Sequence, residues 1–298
     1  MTQLIPAVDL LFEAVAKKGH VCVGLDTSPD YVPAAERLKA KNDAEAVLAF
    51  NIALIDSVFD AAACFKTQIA YYEEMGTAGL SAYSQTLKYI RSKGGLVIAD
   101  IKRGDIADTA RRYARAHFCG DFEADFVTLS PYMGMDSIEP WLSEARTLGK
   151  GAFVLMRTSN PGMRDFEYLE LRGGGRLYHA VGEKLTALAE KNGGNHSYGL
   201  FGAVVGCTER EEAAEIREKN PNLFFLIPGY GAQGGGAKDA ALLLRNGNGG
   251  VVNASRSIIT AWQKEDGAQN ADNNFAAEAA RRAAIKMRDE ILLEISPC

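Results

Sequence analysis

Four charged residues of alternating sign lie at the ends of two apolar runs. Their types and spacing make them the strongest candidates in this chain for catalytic residues. The segment Asp100-Ile-Lys102-Arg-Gly-Asp105 closes an apolar run that starts at Leu96, and Lys66 closes an earlier one. Successive side chains of a strand alternate, so Asp100 and Lys102 are predicted to face the same side, toward the interior. Burying one charge without a partner is costly, which predicts that these residues pair. Neighbouring carboxylates keep a lysine in its ammonium form, which can stabilise negative charge and donate a proton.

The same residues have a structural interpretation as well. The group could be a salt-bridge network, with Asp105 as the N-cap of a following helix and Asp108 in its first turn. For Asp105 alone, both interpretations stay open. For the whole group a functional role is favoured, because the interior layers of barrels are filled mainly by branched apolar residues.

A glycine-rich segment followed by an arginine suggests a second site, for an anion. Glycines at 229, 231, 234, 235 and 236 would let backbone N–H groups approach a phosphate, and Arg256 offers two parallel donors. A flexible turn beside a solvated arginine is the alternative. A dinucleotide site is disfavoured, because the spacing is not Gly-x-Gly-x-x-Gly.

Eight short apolar runs are predicted to be the strands that position these residues. Most are continuously apolar, which is typical of parallel strands covered on both faces. Helix-length segments with three- and four-residue apolar spacing separate many of them. The predicted strands are residues 21–26, 63–68, 96–102, 126–131, 152–159, 201–207, 223–229 and 250–255, and the clearest helices are 44–61, 80–91, 108–118, 137–148 and 208–219.

The repeated strand and helix order predicts an α/β fold, either a barrel or an open doubly wound sheet. Eight units over this length favour a single (β/α)8 TIM barrel spanning residues 1–298. Polar residues at or just beyond the strand ends agree with the rim where barrel enzymes carry their chemistry. An extended connection at about 160–198 is predicted to hold a helix between loops, and a helix at 273–294 is predicted to cover the barrel exterior.

Composition restricts the partners. The chain of 298 residues is 47% hydrophobic and 24% charged with a net charge of −5, which is typical of a globular protein without general affinity for nucleic acid or anionic membranes. Neither a signal peptide nor a membrane-spanning run is apparent. The five scattered cysteines suit reduced, buried thiols in the cytoplasm, and the four histidines lack the spacing of a metal site.

The segment from Val97 to Thr109, Val-Ile-Ala-Asp-Ile-Lys-Arg-Gly-Asp-Ile-Ala-Asp-Thr, resembles the signature of the orotidine 5′-phosphate decarboxylase family. Further similarity lies in Gly24-Leu-Asp26, Phe65-Lys66, Arg157-Thr-Ser-Asn-Pro-Gly162, Pro228-Gly-Tyr-Gly-Ala-Gln233 and Ala254-Ser-Arg256. The resemblance covers nearly the whole chain and is closest to the longer bacterial branch of that family.

The resemblance implies a cofactor-free and metal-free decarboxylase that converts orotidine 5′-phosphate to uridine 5′-phosphate and CO2 in pyrimidine nucleotide biosynthesis. It implies that Lys66, Asp100, Lys102 and Asp105 form the catalytic array, in which Lys102 stabilises a C6 carbanion and protonates it. It also implies a homodimer with shared active sites, because Asp105 would reach the site of the partner subunit.

Substrate contacts are implied in the same way. Asp26 and Lys66 would hold ribose hydroxyls, and Thr109 would contact the sugar from across the interface. Ser159 would hydrogen-bond the pyrimidine, while Gln233 and Arg256 would hold the phosphate.

Two other functions stay open on the sequence. A related sugar-phosphate decarboxylase would use magnesium and an enediolate intermediate at a similar array, but Lys66 would compete with the metal cation. A catalytically silent barrel could instead bind a nucleotide phosphate, although an intact set of four charged residues speaks against loss of activity.

Overall fold

The computed structural model describes residues 4–231 and 233–295. Eight parallel strands form a closed barrel in sequence order, with the first strand also paired to the eighth. The predicted (β/α)8 barrel is therefore confirmed. The strands are β1 (Val21–Gly24), β2 (Cys64–Gln68), β3 (Val97–Arg103), β4 (Phe126–Leu129), β5 (Gly151–Arg157), β6 (Phe201–Val205), β7 (Phe225–Ile227) and β8 (Gly250–Ala254).

Helices form the outer layer around this barrel. The five predicted helices and the C-terminal helix are all present, with bounds shifted by at most four residues. The helices are α1 (Ala7–Lys18), α2 (Ala34–Lys39), α3 (Asp43–Val58), α4 (Ala70–Glu73), α5 (Gly76–Ser92), α6 (Ala107–Phe118), α7 (Glu139–Leu148), α8 (Met163–Phe166), α9 (Leu177–Lys191), α10 (Arg210–Lys219), α11 (Ala237–Ala241), α12 (Arg256–Ile259) and α13 (Asn273–Ile295).

The strands are buried over most of their length, since helices cover one face and side chains fill the other. Each observed strand begins within two residues of its predicted start. Several predicted strands run one or two residues too far at their carboxyl ends, so that Asp26 and Ser159 follow the paired segments. The residues that follow the strands there, such as Ser130, Thr158 and Ser255, are mostly polar, and strand pairing has ended.

The long connection between β5 and β6 contains α8, the bridge Glu170–Arg176, α9 and the bridge Gly193–Gly199. Helix α9 packs against both strands, as an outer helix of the barrel does. The turn after α9 is tied to α1, because the buried Asp9 accepts hydrogen bonds from Asn195. At the other end of the chain, α13 packs on α3 and covers the barrel exterior as predicted.

The cysteines follow the prediction in part. Cys22, Cys64 and Cys207 are buried free thiols, whereas Cys119 is exposed because it lies just after the end of α6. Cys298 lies outside the described residues. Within the described part of the chain, no helix has the length and apolar character needed to cross a bilayer.

Candidate active site

A cavity of about 590 Å³ opens at the carboxyl ends of the strands. Its polar half comes mainly from β1 to β3 and β8, and its apolar half includes Leu155, Val204 and Leu226 of β5 to β7. Seven of the nine predicted site residues line it: Asp26, Lys66, Asp100, Lys102, Ser159, Gln233 and Arg256. The cavity therefore unites residues that lie more than 200 positions apart in the chain.

Two lysines and two aspartates form a continuous ion-pair array on its floor. Lys66 Nζ lies 2.7 Å from Asp26 Oδ1 and 3.2 Å from Asp100 Oδ2. Lys102 Nζ lies 2.6 Å from Asp100 Oδ1, so Asp100 is shared by both lysines. The side chains of Lys66 and Asp100 are 5% and 11% exposed, while that of Lys102 is 47% exposed and faces the cavity. Of the two lysines, Lys102 is thus the better placed to meet a bound molecule.

The protonation states of the buried pair follow from this geometry. Burial alone would lower the pKa of Lys66, but the carboxylates of Asp26 and Asp100 raise it well above its usual range. Burial alone would raise the pKa of Asp100, yet Lys66, Lys102 and the Thr128 hydroxyl together lower it to about 2. At neutral pH, Lys66 is therefore an ammonium ion and Asp100 a carboxylate.

Lys102 has a backbone conformation that residues other than glycine rarely adopt. Its φ is 43°, which costs about 1–3 kcal/mol when surrounding contacts do not compensate. The ladder between β3 and β4 is irregular here, because the pairs Ala99–Val127 and Arg103–Leu129 are four residues apart on β3 and two on β4. The predicted convergence of Asp100 and Lys102 is observed, but it depends on this bulge and not on regular strand alternation.

Asp26 is held from two sides. Its Oδ1 accepts from Lys66, and its Oδ2 accepts from the Ser255 hydroxyl at 2.8 Å. Beneath it, the Tyr72 hydroxyl donates to the Leu25 carbonyl at 3.0 Å and supports the end of β1. The carboxylate therefore has a defined position at the cavity wall.

The glycine-rich loop is organised by its own hydrogen bonds. Gly231 N–H donates to the Gly235 carbonyl and Gly235 N–H to the Gly229 carbonyl, while Gly229 and Gly231 have φ values of 104° and 73°. The Gly234 N–H donates to the Gly231 carbonyl within the loop, and the Gly236 N–H donates to the Asp239 carboxylate. Four of the five glycine N–H groups that the sequence offered to an anion, all but that of Gly229, thus already have partners. Side chains that border the loop provide further anion donors.

Those donors are Gln233 and Arg256, which are both exposed at the cavity. Among the described residues, no carboxylate lies within ion-pair distance of Arg256. A guanidinium without an internal carboxylate is available to bind a phosphate in a bidentate manner.

Ser159 is placed by the loop that follows β5. The Thr158 backbone N–H donates to Glu167 Oε2 at 2.8 Å, and its hydroxyl lies 2.8 Å from Glu167 Oε1. Gly206 approaches Ser159 closely, because a Cβ on Gly206 would lie 2.7 Å from the Ser159 Cβ. These contacts keep Ser159 at the cavity wall.

Asp105 and Thr109 do not line this cavity. The Asp105 carboxylate accepts from the Ile106 N–H at 2.8 Å, and Thr109 is exposed on α6. The N-cap of α6 is Ile106, without a side-chain cap, so Asp105 does not fill the capping role considered above. Both residues therefore lie outside the cavity lining of their own chain.

A family model with the description "Orotidine 5′-phosphate decarboxylase / HUMPS family" matches residues 19–271. The chain belongs to this family. An orotidine 5′-phosphate decarboxylase of Clostridium perfringens (strain SM101 / Type A) is 56% identical over 95% of this chain and 97% of its own length. One from Clostridium tetani is 53% identical over 97% and 99% of the two chains.

Solved structures agree with this orotidine 5′-phosphate decarboxylase family assignment. Leishmania donovani OMP decarboxylase has a TM-score of 0.77 and 32% identity, with 99% of this chain and 100% of that chain covered. Leishmania donovani UMP synthase has a TM-score of 0.78 and 34% identity, and this chain spans 56% of its length. The similarity to family members thus includes both sequence and fold.

Sequence reasoning missed several residues of this family member's cavity. Thr128, Asn253 and Ser255 are polar residues near the ends of β4 and β8. A hydroxyl or amide within an otherwise apolar strand was the signal that could have revealed them. Leu155, Val204 and Leu226 carried no such signal, because apolar strand residues are expected throughout a barrel.

Proposed function

We propose that this chain decarboxylates orotidine 5′-phosphate to uridine 5′-phosphate and CO2 in pyrimidine nucleotide biosynthesis. The observation that carries the proposal is the Lys102 ammonium ion, 2.6 Å from Asp100 and facing a cavity that also contains Arg256. The names of the Clostridium relatives support the same reaction.

The placement of the nucleotide in this proposal follows the family resemblance, and the cavity lining supports it. Arg256 and Gln233 bind the phosphate, and Asp26 and Lys66 bind ribose hydroxyls. The pyrimidine extends toward Ser159 and the apolar half of the cavity. Phosphate binding at a distance from the reacting carbon supplies binding energy that orders the site around C6.

Decarboxylation breaks the bond between C6 and the carboxylate carbon, and the electron pair stays on C6. The ring offers no cofactor to delocalise this pair, so a fixed positive charge must stabilise it. The Lys102 ammonium ion supplies that charge and then donates a proton to C6. Solvent returns a proton to the neutral amine, which balances the reaction.

Asp100 has two effects in this mechanism. Its main role is to hold the Lys102 ammonium group at a defined position, as the 2.6 Å contact supports. It also places a negative charge near the substrate carboxylate, and that repulsion favours departure of neutral CO2. Lys66 balances the charge on the other oxygen of Asp100.

The active form in this proposal is a homodimer with shared sites. Asp105 and Thr109 lie outside their own cavity, and the neighbouring Ile106 is 47% exposed. Tyr132 and Met133 are exposed as well, at 83% and 49%. An isologous interface that includes Ile106, Tyr132 and Met133 would cover apolar surface. It would also bring Asp105 and Thr109 to the partner's cavity.

We further propose a cytoplasmic location. Three buried free thiols and an odd number of cysteines support a reducing compartment. Cell fractionation with an antibody against the protein tests this.

The reaction is tested by following the absorbance of orotidine 5′-phosphate with purified protein. We expect conversion by the wild type and a loss of at least about a thousandfold in kcat for Lys102→Ala, since the residue is both electrostatic stabiliser and acid. Lys184→Ala, which removes an exposed lysine of α9, is the matched control and should keep full activity. Absence of conversion, or an unchanged rate for Lys102→Ala, would disprove the proposal.

A further inference from the structure

We propose that Thr128 is a positioning residue that aims Lys102 at the reacting carbon. Thr128 lies on β4, opposite the bulge of β3, and it lines the cavity. This inference rests on the proposed function, and it assigns a role to a hydroxyl that touches both members of the Asp100–Lys102 pair.

The Thr128 hydroxyl replaces backbone hydrogen bonds that are missing between β3 and β4. Backbone pairing between β3 and β4 is interrupted from Ala99 to Arg103. Thr128 Oγ1 accepts from the N–H of Ile101 at 3.0 Å and from the N–H of Lys102 at 2.9 Å. One side-chain oxygen therefore satisfies two backbone donors that the bulge removes from the ladder.

The same hydroxyl donates its proton to Asp100 Oδ1 at 2.8 Å. That oxygen is the one that accepts from Lys102 Nζ at 2.6 Å. Thr128 consequently contacts Lys102 at its backbone directly and at its ammonium group through Asp100. One buried oxygen, Thr128 Oγ1, therefore positions both the backbone and the ammonium group of Lys102.

This arrangement explains how Lys102 maintains its φ of 43°. A residue in this region needs contacts that hold it there, and the accepted N–H of Lys102 is such a contact. Thr128 itself is 1% exposed, so its hydroxyl cannot exchange these partners for bulk water. Removing the hydroxyl should let Lys102 relax and move its ammonium group.

The test compares Thr128→Val, which keeps the shape and loses the hydroxyl, with Thr128→Ser, which keeps the hydroxyl. We expect kcat for orotidine 5′-phosphate to fall roughly ten- to a hundredfold in the valine variant, because a misplaced catalytic group costs that much. The affinity for uridine 5′-phosphate should stay within about threefold, and Thr128→Ser should recover most of kcat. If the valine variant does not fold, Thr128→Ala replaces it.

Thr67→Val is the matched control, since Thr67 is a fully buried threonine of β2 that does not line the cavity. Its kcat should stay near that of the wild type. A wild-type kcat in Thr128→Val, or an equal loss in the serine variant, would overturn the inference.

A crystal structure of the hydroxyl-free variant gives a readout that does not depend on turnover. We expect Lys102 Nζ to leave hydrogen-bond distance of Asp100 Oδ1. Unchanged Lys102 geometry would refute the positioning role even if the enzyme proved to have another substrate. Failure of the wild type to convert orotidine 5′-phosphate would refute the proposed function instead.

Discussion

Gly24 on β1 and Ser255 beyond β8 approach so closely that a Cβ on Gly24 would lie 2.0 Å from Ser255 Oγ. Ser255 donates to Asp26, which also accepts from Lys66. The absence of a side chain at position 24 therefore leaves room for Ser255, and Ser255 together with Lys66 positions Asp26.

We expect Gly24→Ala to displace Ser255, so that the Asp26 carboxylate loses the hydrogen bond from its hydroxyl. This loss should raise KM for orotidine 5′-phosphate about tenfold. Overpacking should also lower the free energy of unfolding by roughly 1–3 kcal/mol. Steady-state kinetics and urea unfolding measure both effects. Gly173→Ala, where a Cβ would meet nothing within 4 Å, is the control. An unchanged KM in Gly24→Ala would contradict the argument.

The buried ion pairs predict how stability depends on pH. The pKa of Asp100 is about 2 in the folded chain, below its usual 3.8, so its contribution is present above about pH 4 and is lost as pH falls toward 2. The pKa of Lys66 is raised above 10.5, so its contribution is full below that pH and is lost only in stronger base.

Urea unfolding of the wild type and Asp100→Asn at several pH values tests the acid side. The difference in unfolding free energy should be constant between about pH 5 and pH 9 and should shrink by roughly 2 kcal/mol toward pH 2. Asp266→Asn, at an exposed carboxylate, is the control. A difference that does not change with pH would show that the ionised Asp100 does not stabilise the fold.

Mixed dimers test whether Asp105 acts across the interface. Neither Lys102→Ala nor Asp105→Ala homodimers should be active. In a hybrid of the two, one site combines an intact Lys102 with an intact Asp105 from the other chain. Random mixing makes half of the dimers hybrid, so about a quarter of wild-type activity should return. If the Asp105→Ala homodimer is inactive and mixing restores no activity, Asp105 serves its own subunit.

Removal of the Arg256 side chain, which binds the phosphate in this proposal, should affect only phosphorylated substrates. We expect Arg256→Ala to raise KM for orotidine 5′-phosphate roughly ten- to a hundredfold, because a charge-assisted hydrogen bond is lost. The slow decarboxylation of orotidine, which has no phosphate, should be the same in the variant and the wild type. Equal losses with both substrates would assign Arg256 to a general structural role.

Treatment with EDTA separates this reaction from a magnesium-dependent decarboxylation. Full activity should remain, because the Lys66 ammonium group occupies the space between Asp26 and Asp100 where a divalent cation would bind. Loss of activity that Mg²⁺ restores would favour the metal-dependent alternative.

Much of the architecture could be predicted from local patterns. Strand number, the order of strands and helices, and the barrel were predicted because burial on both faces leaves continuous apolar runs. Lys66, Asp100 and Lys102 were recognisable because charges at the ends of such runs are unusual. Assignments to substrate groups, and those of Asp105 and Thr109 to a partner's site, depended on the family resemblance and remain predictions.

Contacts between distant segments were decided by the tertiary structure alone. The sequence by itself determined which residue types lie at the strand ends, since periodicity and burial are local properties. It could not indicate that Thr128 replaces part of a ladder, that Lys102 adopts a positive φ, or that Gly24 makes room for Ser255. Each of these depends on the register and closure of the barrel, in which residues far apart in the chain are brought within hydrogen-bond distance.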